Sequence, residues 1–157
     1  MPRATHTWLD AIRSEPMIHL PSRTVLIVDD EEDIRAVLQA CLEAAGFQVR
    51  TASSGMDALE RIRSNPPDLI IHDVMLPDIT GLDVCALVKG DRRLRRIPFI
   101  LLTARSQPQD RLTGAALGAD AYMNKPLNAD ELLAEVRRLL AGYEMTDERA
   151  QTPQAAS

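Results

Sequence analysis

Four short apolar runs in this chain lead directly into polar residues able to do chemistry. Asp29 and Asp30 follow Val25-Leu26-Ile27-Val28, and Asp73 stands just beyond Leu69-Ile70-Ile71. Thr103 follows Phe99-Ile100-Leu101-Leu102, and Lys125 stands just beyond Ala121-Tyr122-Met123. Three carboxylates gathered in one place repel one another and lose hydration, so such a cluster calls for a cation. Oxygen-only ligands suit a hard ion. Mg²⁺ favours one or two carboxylates, waters and a phosphate, and Mn²⁺ is an alternative. Lys125 is one of two lysines, against sixteen arginines. Its compact charge suits a phosphoryl oxygen. The hydroxyl of Thr103 can donate to another. Together the residues read as a phosphoryl-transfer site, with a carboxylate as nucleophile and a divalent cation neutralising the charge that develops.

Regular elements must bring these residues together. The candidate strands are the four runs above plus Phe47–Thr51, where Phe47 and Val49 alternate with Gln48 and Arg50 as on an edge strand. Between them lie helical patterns. Ile34, Val37, Leu38, Cys41, Leu42 and Ala45 share one helix face, ended by Gly46. A second helix starts near Ser53 and Ser54, carries Met56, Leu59 and Ile62 inward, and stops at Asn65-Pro66-Pro67. A third runs from Gly81 to Lys89 with Leu82, Cys85 and Val88 inward, and a fourth from Gln109 to Leu117, before Gly118. The fifth opens at Asn128 and continues through Leu132, Leu133, Val136, Leu139 and Leu140 to Gly142. Strand and helix alternating in this way predict an α/β fold, a parallel sheet with helices on both faces. The expected form is the flavodoxin-like (βα)5 doubly wound sheet with strand order 2-1-3-4-5, an order taken from that fold rather than from these residues. Ligands in such sheets bind beyond the carboxyl ends of the strands where the order reverses, which is where Asp29, Asp30 and Asp73 fall.

Composition narrows the class. A chain of 157 residues fits one domain, and a net charge of −5 argues against a general nucleic-acid binder. No run approaches the roughly 20 apolar residues of a membrane helix, and no secretory signal is visible. Cys41 and Cys85 fall in helical apolar patterns and read as reduced core residues. A cytoplasmic protein is expected. The organisation expected is an N-terminal extension over 1–22, partly disordered or helical, a domain over 23–142, and a flexible tail over 143–157.

Over residues 24–141 the chain resembles the receiver domain of two-component response regulators, of the single-domain, chemotaxis-regulator type. The resemblance rests on Val25-Leu26-Ile27-Val28-Asp29-Asp30-Glu31, Asp73-Val74-Met75-Leu76-Pro77-Asp78, Leu102-Thr103-Ala104, and Gly118-Ala119-Asp120-Ala121-Tyr122 with Lys125-Pro126. It implies that Asp73 takes a phosphoryl group from a phosphohistidine on a sensor histidine kinase or a histidine phosphotransfer protein. Asp30 would bind Mg²⁺ directly, Asp29 mostly through water, and Asp73 and the backbone carbonyl of Met75 would complete the protein ligands. Thr103 would move toward the phosphoryl group, Tyr122 would swing in behind it, and Lys125 would pair with a phosphoryl oxygen. The Lys125-Pro126 bond would be cis. Output would pass to a protein effector through the fourth helix, fifth strand and fifth helix, with no DNA contact of its own, and a homodimer is left open. Departures from the common pattern are few: His72 for an aliphatic residue, Ile79-Thr80-Gly81 for Met-Asp-Gly, and Ala121 for an acid. None removes a group the site needs.

His72 is tempting as a ligand, but strand alternation turns it from the Asp73 side, so a satisfied, partly buried histidine is expected. Arg92, Arg93, Arg95 and Arg96 read as a solvated loop. Trp8, Leu9 and Ile12 have helical spacing within a segment expected to be a frayed tail. An aspartyl-nucleophile phosphatase needs an acid two residues after the nucleophile, where this chain has Met75. A phosphorylation-independent module of the same fold usually lacks an acid or the lysine of the site, and here none is missing. In the family the side chains at positions 75 and 105 influence hydrolysis of the aspartyl phosphate. Met75 cannot orient water by hydrogen bonding, so with Arg105 at the other position slow self-dephosphorylation is expected.

Overall fold

The computed structural model describes residues 22–104 and 108–151. The elements are β1 Thr24–Val28, α1 Glu32–Ala44, β2 Gln48–Ala52, α2 Gly55–Ser64, β3 Leu69–Asp73, α3 Gly81–Lys89, β4 Phe99–Thr103, α4 Pro108–Ala116, β5 Ala121–Asn124 and α5 Ala129–Gln151. All strand pairs are parallel, in the order β2-β1-β3-β4-β5. β1, β3 and β4 are apolar nearly throughout because helices cover both their faces. Leu26, Val28, Ile70, Phe99 and Leu101 pack with Ala58 and Ile62 of α2 and with Val84, Cys85 and Val88 of α3. On the opposite face Val25, Ile27, Leu69, Ile71, Ile100 and Leu102 pack with Leu38 and Leu42 of α1 and Leu132 and Val136 of α5. The two sets alternate along each strand, as a period of two requires.

Boundaries follow local chemistry. Gly46 and Gly118 take φ of 98° and 97°, a left-handed conformation that ends a helix without Cβ strain. Ser54 caps α2, and Thr80 with Asp83 forms a capping box on α3. The basic run is exposed at Arg92, Arg93, Arg95 and Arg96, with Leu94 buried among them.

Four expectations are corrected. β2 lies one residue later than the alternation suggested, and β3 and β4 include Asp73 and Thr103 rather than ending before them. α5 runs past Gly142 to Gln151. A mid-helix glycine costs only about 1 kcal/mol, which the helix-forming residues on either side can absorb. Val37 and Met56, placed inward by helical spacing, are 67% and 56% exposed. The apolar stripe is wider than the face the sheet covers, and Leu38 and Ile62 take the covered positions. Cys41 is half-buried rather than a core residue, and Cys85 is buried; both thiols are free. Trp8, Leu9, Ile12 and the residues after 151 lie outside the described residues. Among the described residues no helix is long and apolar enough to cross a membrane.

Candidate functional site

The register places the chemistry. Val28 of β1 pairs with His72 of β3, and Asp73 pairs with Leu102 of β4. Asp29 and Asp73 therefore stand side by side at the carboxyl edge of the sheet. Thr103 pairs with Asn124 of β5, so Lys125 leaves the sheet at the same edge, its N–H donating to the Thr103 carbonyl at 2.6 Å.

The ammonium of Lys125 bridges the two carboxylates. It donates to Asp29 Oδ2 at 2.5 Å and to Asp73 Oδ2 at 3.2 Å, with Glu31 Oε1 3.9 Å away. Asp29 is fully buried and Asp73 nearly so. The remaining oxygen of each is also used. Asp29 Oδ1 accepts the Glu31 N–H at 2.9 Å, and Asp73 Oδ1 accepts the Met75 N–H at 3.3 Å. The guanidinium of Arg35 donates to the Asp29 carbonyl at 2.7 Å, fixing the start of α1 beneath the site.

Burial pushes the Asp73 carboxyl above its ordinary value. The Lys125 ammonium opposes this and Asp29 reinforces it, with the balance upward. Burial also works against the Lys125 ammonium, but its hydrogen bond to Asp29 and the charges of Asp73 and Asp29 outweigh that and hold it above its usual range. Asp29, Asp30 and Glu31 present carboxylate oxygens within 4.8 Å of one another, Asp29 buried and the other two exposed. An all-oxygen set of this charge, open on one side, fits a hard divalent ion that keeps part of its water. Sequence spacing alone does not mark Glu31 as a third oxygen donor; it comes into the set because the turn after β1 brings its carboxylate beside the acidic pair.

The other candidates sit around this centre. Thr103 is buried at the end of β4. Tyr122 is half-buried, packed against the core on the α2 and α3 face. The Met75 side chain is 66% exposed. The Lys125-Pro126 bond is cis. Arg105 lies outside the described residues.

His72 is fully buried on the opposite face from the site, among the residues beneath α2 and α3. Its Nδ1 lies 2.8 Å from the Asp73 carbonyl, and its ring stacks on Phe99 with centroids 5.7 Å apart. Nε2 has no hydrogen-bond partner among the described residues, so the histidine expected to be partly buried and satisfied is wholly buried and half satisfied. Burial lowers its pKa from 6.5 to about 4. The fold holds it neutral, whereas the unfolded chain binds a proton below pH 6.5. Its contribution is therefore intact above 6.5 and lost as pH falls toward 4. The loss is on the order of 3 kcal/mol. Urea unfolding in chelator from neutral pH down to about pH 4 should show this slope, and His72→Leu should flatten it. Parallel slopes in the two proteins would refute it.

A five-stranded parallel sheet in this order, with buried acids and a bridging lysine at its carboxyl edge, defines a class. Residues 25–137 match the response regulator receiver domain, and the chain belongs to that family. It is 42% identical over 127 residues to the transcriptional regulatory protein GltR of Pseudomonas aeruginosa, covering 81% of this chain and 52% of that protein. The chain thus spans about half the length of the curated relatives it matches. Among solved structures, the receiver domain of a signal transduction histidine kinase from Syntrophus aciditrophicus superposes with a TM-score of 0.73 at 37% identity, over 77% of this chain and 92% of that one. The chemotaxis protein CheY4 of Vibrio cholerae gives 0.72 at 33% identity, over 76% of this chain and 99% of its own.

Proposed function

We propose that this receiver is a phosphoacceptor switch whose acceptor is Asp73. The observation that carries the reading is Lys125 Nζ held at 2.5 Å and 3.2 Å from Asp29 and Asp73, beside the exposed oxygens of Asp30 and Glu31. A carboxylate oxygen of Asp73 attacks phosphorus as the P–N bond to a donor histidine breaks, and the departing imidazole nitrogen keeps the electron pair and takes up a proton. Asp30 and Asp73, Asp29 through water, and the Met75 carbonyl would hold Mg²⁺ or Mn²⁺. When bound, the ion neutralises charge on the phosphoryl oxygens. Lys125, already desolvated, trades its contact with Asp73 for one with a phosphoryl oxygen. Thr103 supplies a hydroxyl donor from the next strand, and Tyr122 follows it inward.

The chain promotes its own charging and discharging rather than turning over a separate substrate. The donor is a sensor histidine kinase or a histidine phosphotransfer protein. Phosphorylation biases α4, β5 and α5 toward a conformation read by a protein effector in the cytoplasm. Intact-mass measurement after incubation with a small phosphodonor and Mg²⁺ tests the reading. One added phosphoryl group is expected, and none in chelator. A chain left unmodified with Mg²⁺ present would overturn it.

The lifetime of the product follows from Met75, whose exposed thioether beside the acceptor offers no donor to an attacking water. Met75→Asn should speed decay of the aspartyl phosphate several-fold in a phosphate-release assay. Unchanged or slower decay counts against this.

A further inference from the structure

The loop between β3 and α3, residues 74–80, carries Met75 and follows directly on Asp73. Its base is closed twice. The Gly81 N–H donates to the Val74 carbonyl at 2.9 Å, and β3 and α3 approach so closely that a Cβ at Gly81 would run into the Asp73 carbonyl oxygen. Its far side is held by one carboxylate. Asp78 Oδ1 accepts the Gly55 N–H at 3.0 Å, and Oδ2 accepts the Met56 N–H at 2.7 Å. These are orphan donors at the start of α2, where the positive end of the helix favours an anion. Ser54 Oγ takes the next N–H, that of Asp57, at 3.1 Å. The loop backbone lies against the helix itself, since a Cβ at Gly55 would sit 2.5 Å from Ile79 Cγ1 and 2.7 Å from the Ile79 carbonyl oxygen.

Two side chains thus cap one helix end, but only one of them belongs to the acceptor loop. From this we infer that Asp78 is a positioning residue: by clamping the loop to α2 it fixes the Met75 backbone relative to Asp73. This rests on the reading of Asp73 as acceptor and of the Met75 carbonyl as a metal ligand. Backbone N–H groups, that of Met56 most and those of Gly55, Ile79 and Asp78 itself less, hold the Asp78 carboxyl down to about 2 against a smaller effect of burial, so the clamp stays charged throughout the working range. Nothing in the sequence alone marks Asp78 as a tether, because its partners lie 22 and 23 residues away.

The test compares three variants. Asp78→Ala removes both a cap and the tether. Ser54→Ala removes a cap of the same helix without touching the loop. Asp57→Asn removes a carboxylate from the same turn, one that pairs only with Arg61 among the described residues. Amide hydrogen exchange in chelator and calorimetric titration with Mg²⁺ are measured on each. Asp78→Ala should speed exchange at the Met75 amide and weaken Mg²⁺ binding about tenfold, while the other two stay within about twofold of wild type. Asp78→Asn, which keeps one accepting oxygen, should fall between and serves if the alanine variant does not fold. Equal behaviour of Asp78→Ala and Ser54→Ala, or an unchanged Met75 amide, overturns the inference. A wild-type chain that binds no Mg²⁺ and takes no phosphoryl group would instead sink the acceptor reading, and exchange at Met75 in chelator would still decide the role of Asp78.

Discussion

Lys125→Met is expected to destabilise the metal-free protein by about 3–5 kcal/mol, because it strands two buried carboxylates against each other. The Lys125 side chain is 11% exposed, that of Asp29 0% and that of Asp73 7%. None of the three can recover much hydration when its partner is removed. The methionine keeps most of the packing, so the loss isolates the charge. Urea unfolding at neutral pH in chelator gives the size of the effect. Adding Mg²⁺ should restore part of it, since an ion bound only by the folded state stabilises by mass action and here also supplies the missing positive charge. A loss under about 1 kcal/mol would mean that the two carboxylates are better solvated than their burial implies.

Asp73→Asn should abolish phosphoryl uptake completely while making the metal-free protein more stable. Burial raises the folded-state pKa of Asp73 above its ordinary value. As pH rises through the carboxylate range the unfolded chain therefore loses this proton first, and stability falls with rising pH. Removing the charge removes that penalty, and Lys125 retains Asp29 as partner. A group that costs stability where it stands, and whose loss abolishes function, is what a site selected for chemistry should contain. Intact mass after incubation with phosphodonor and Mg²⁺, and urea unfolding in chelator, give the two readouts. A variant that still gains a phosphoryl group, or one less stable than wild type, contradicts this account.

Most of the site could be read from the sequence because each of its members adjoins a short apolar run. Val25–Val28, Leu69–Ile71 and Phe99–Leu102 are apolar on both faces, which marks them as covered strands, and the acids or hydroxyl that follow must lie at one edge. What could not be read joins residues distant in the chain. Lys89, the other lysine, is an example. Its ammonium donates to the Ile97 and Asp120 oxygens at 2.8 Å and to the Arg95 carbonyl at 3.1 Å, tying α3 to the segment before β4 and, across 31 residues, to the residue that precedes β5. The same Asp120 oxygen accepts the Phe99 N–H at 2.8 Å. Sequence spacing carries no signal of such a clasp, nor of Asp78 on α2. Helical periodicity erred at Val37 and Met56 for a related reason: it gives the direction of a face but not where the neighbouring sheet stops. Gly142 misled because a glycine ends a helix only when the chain has a reason to turn there.

The central claim is that one carboxylate, Asp73, carries the phosphoryl group. Borohydride reduces an acyl phosphate to the alcohol, so trapping the phosphorylated protein and mapping its peptides converts the acceptor aspartate into homoserine. Homoserine at position 73 and at no other aspartate is the expected result. Homoserine at Asp29 or Asp30, or a phosphoryl group that survives borohydride on some other side chain, would contradict the account.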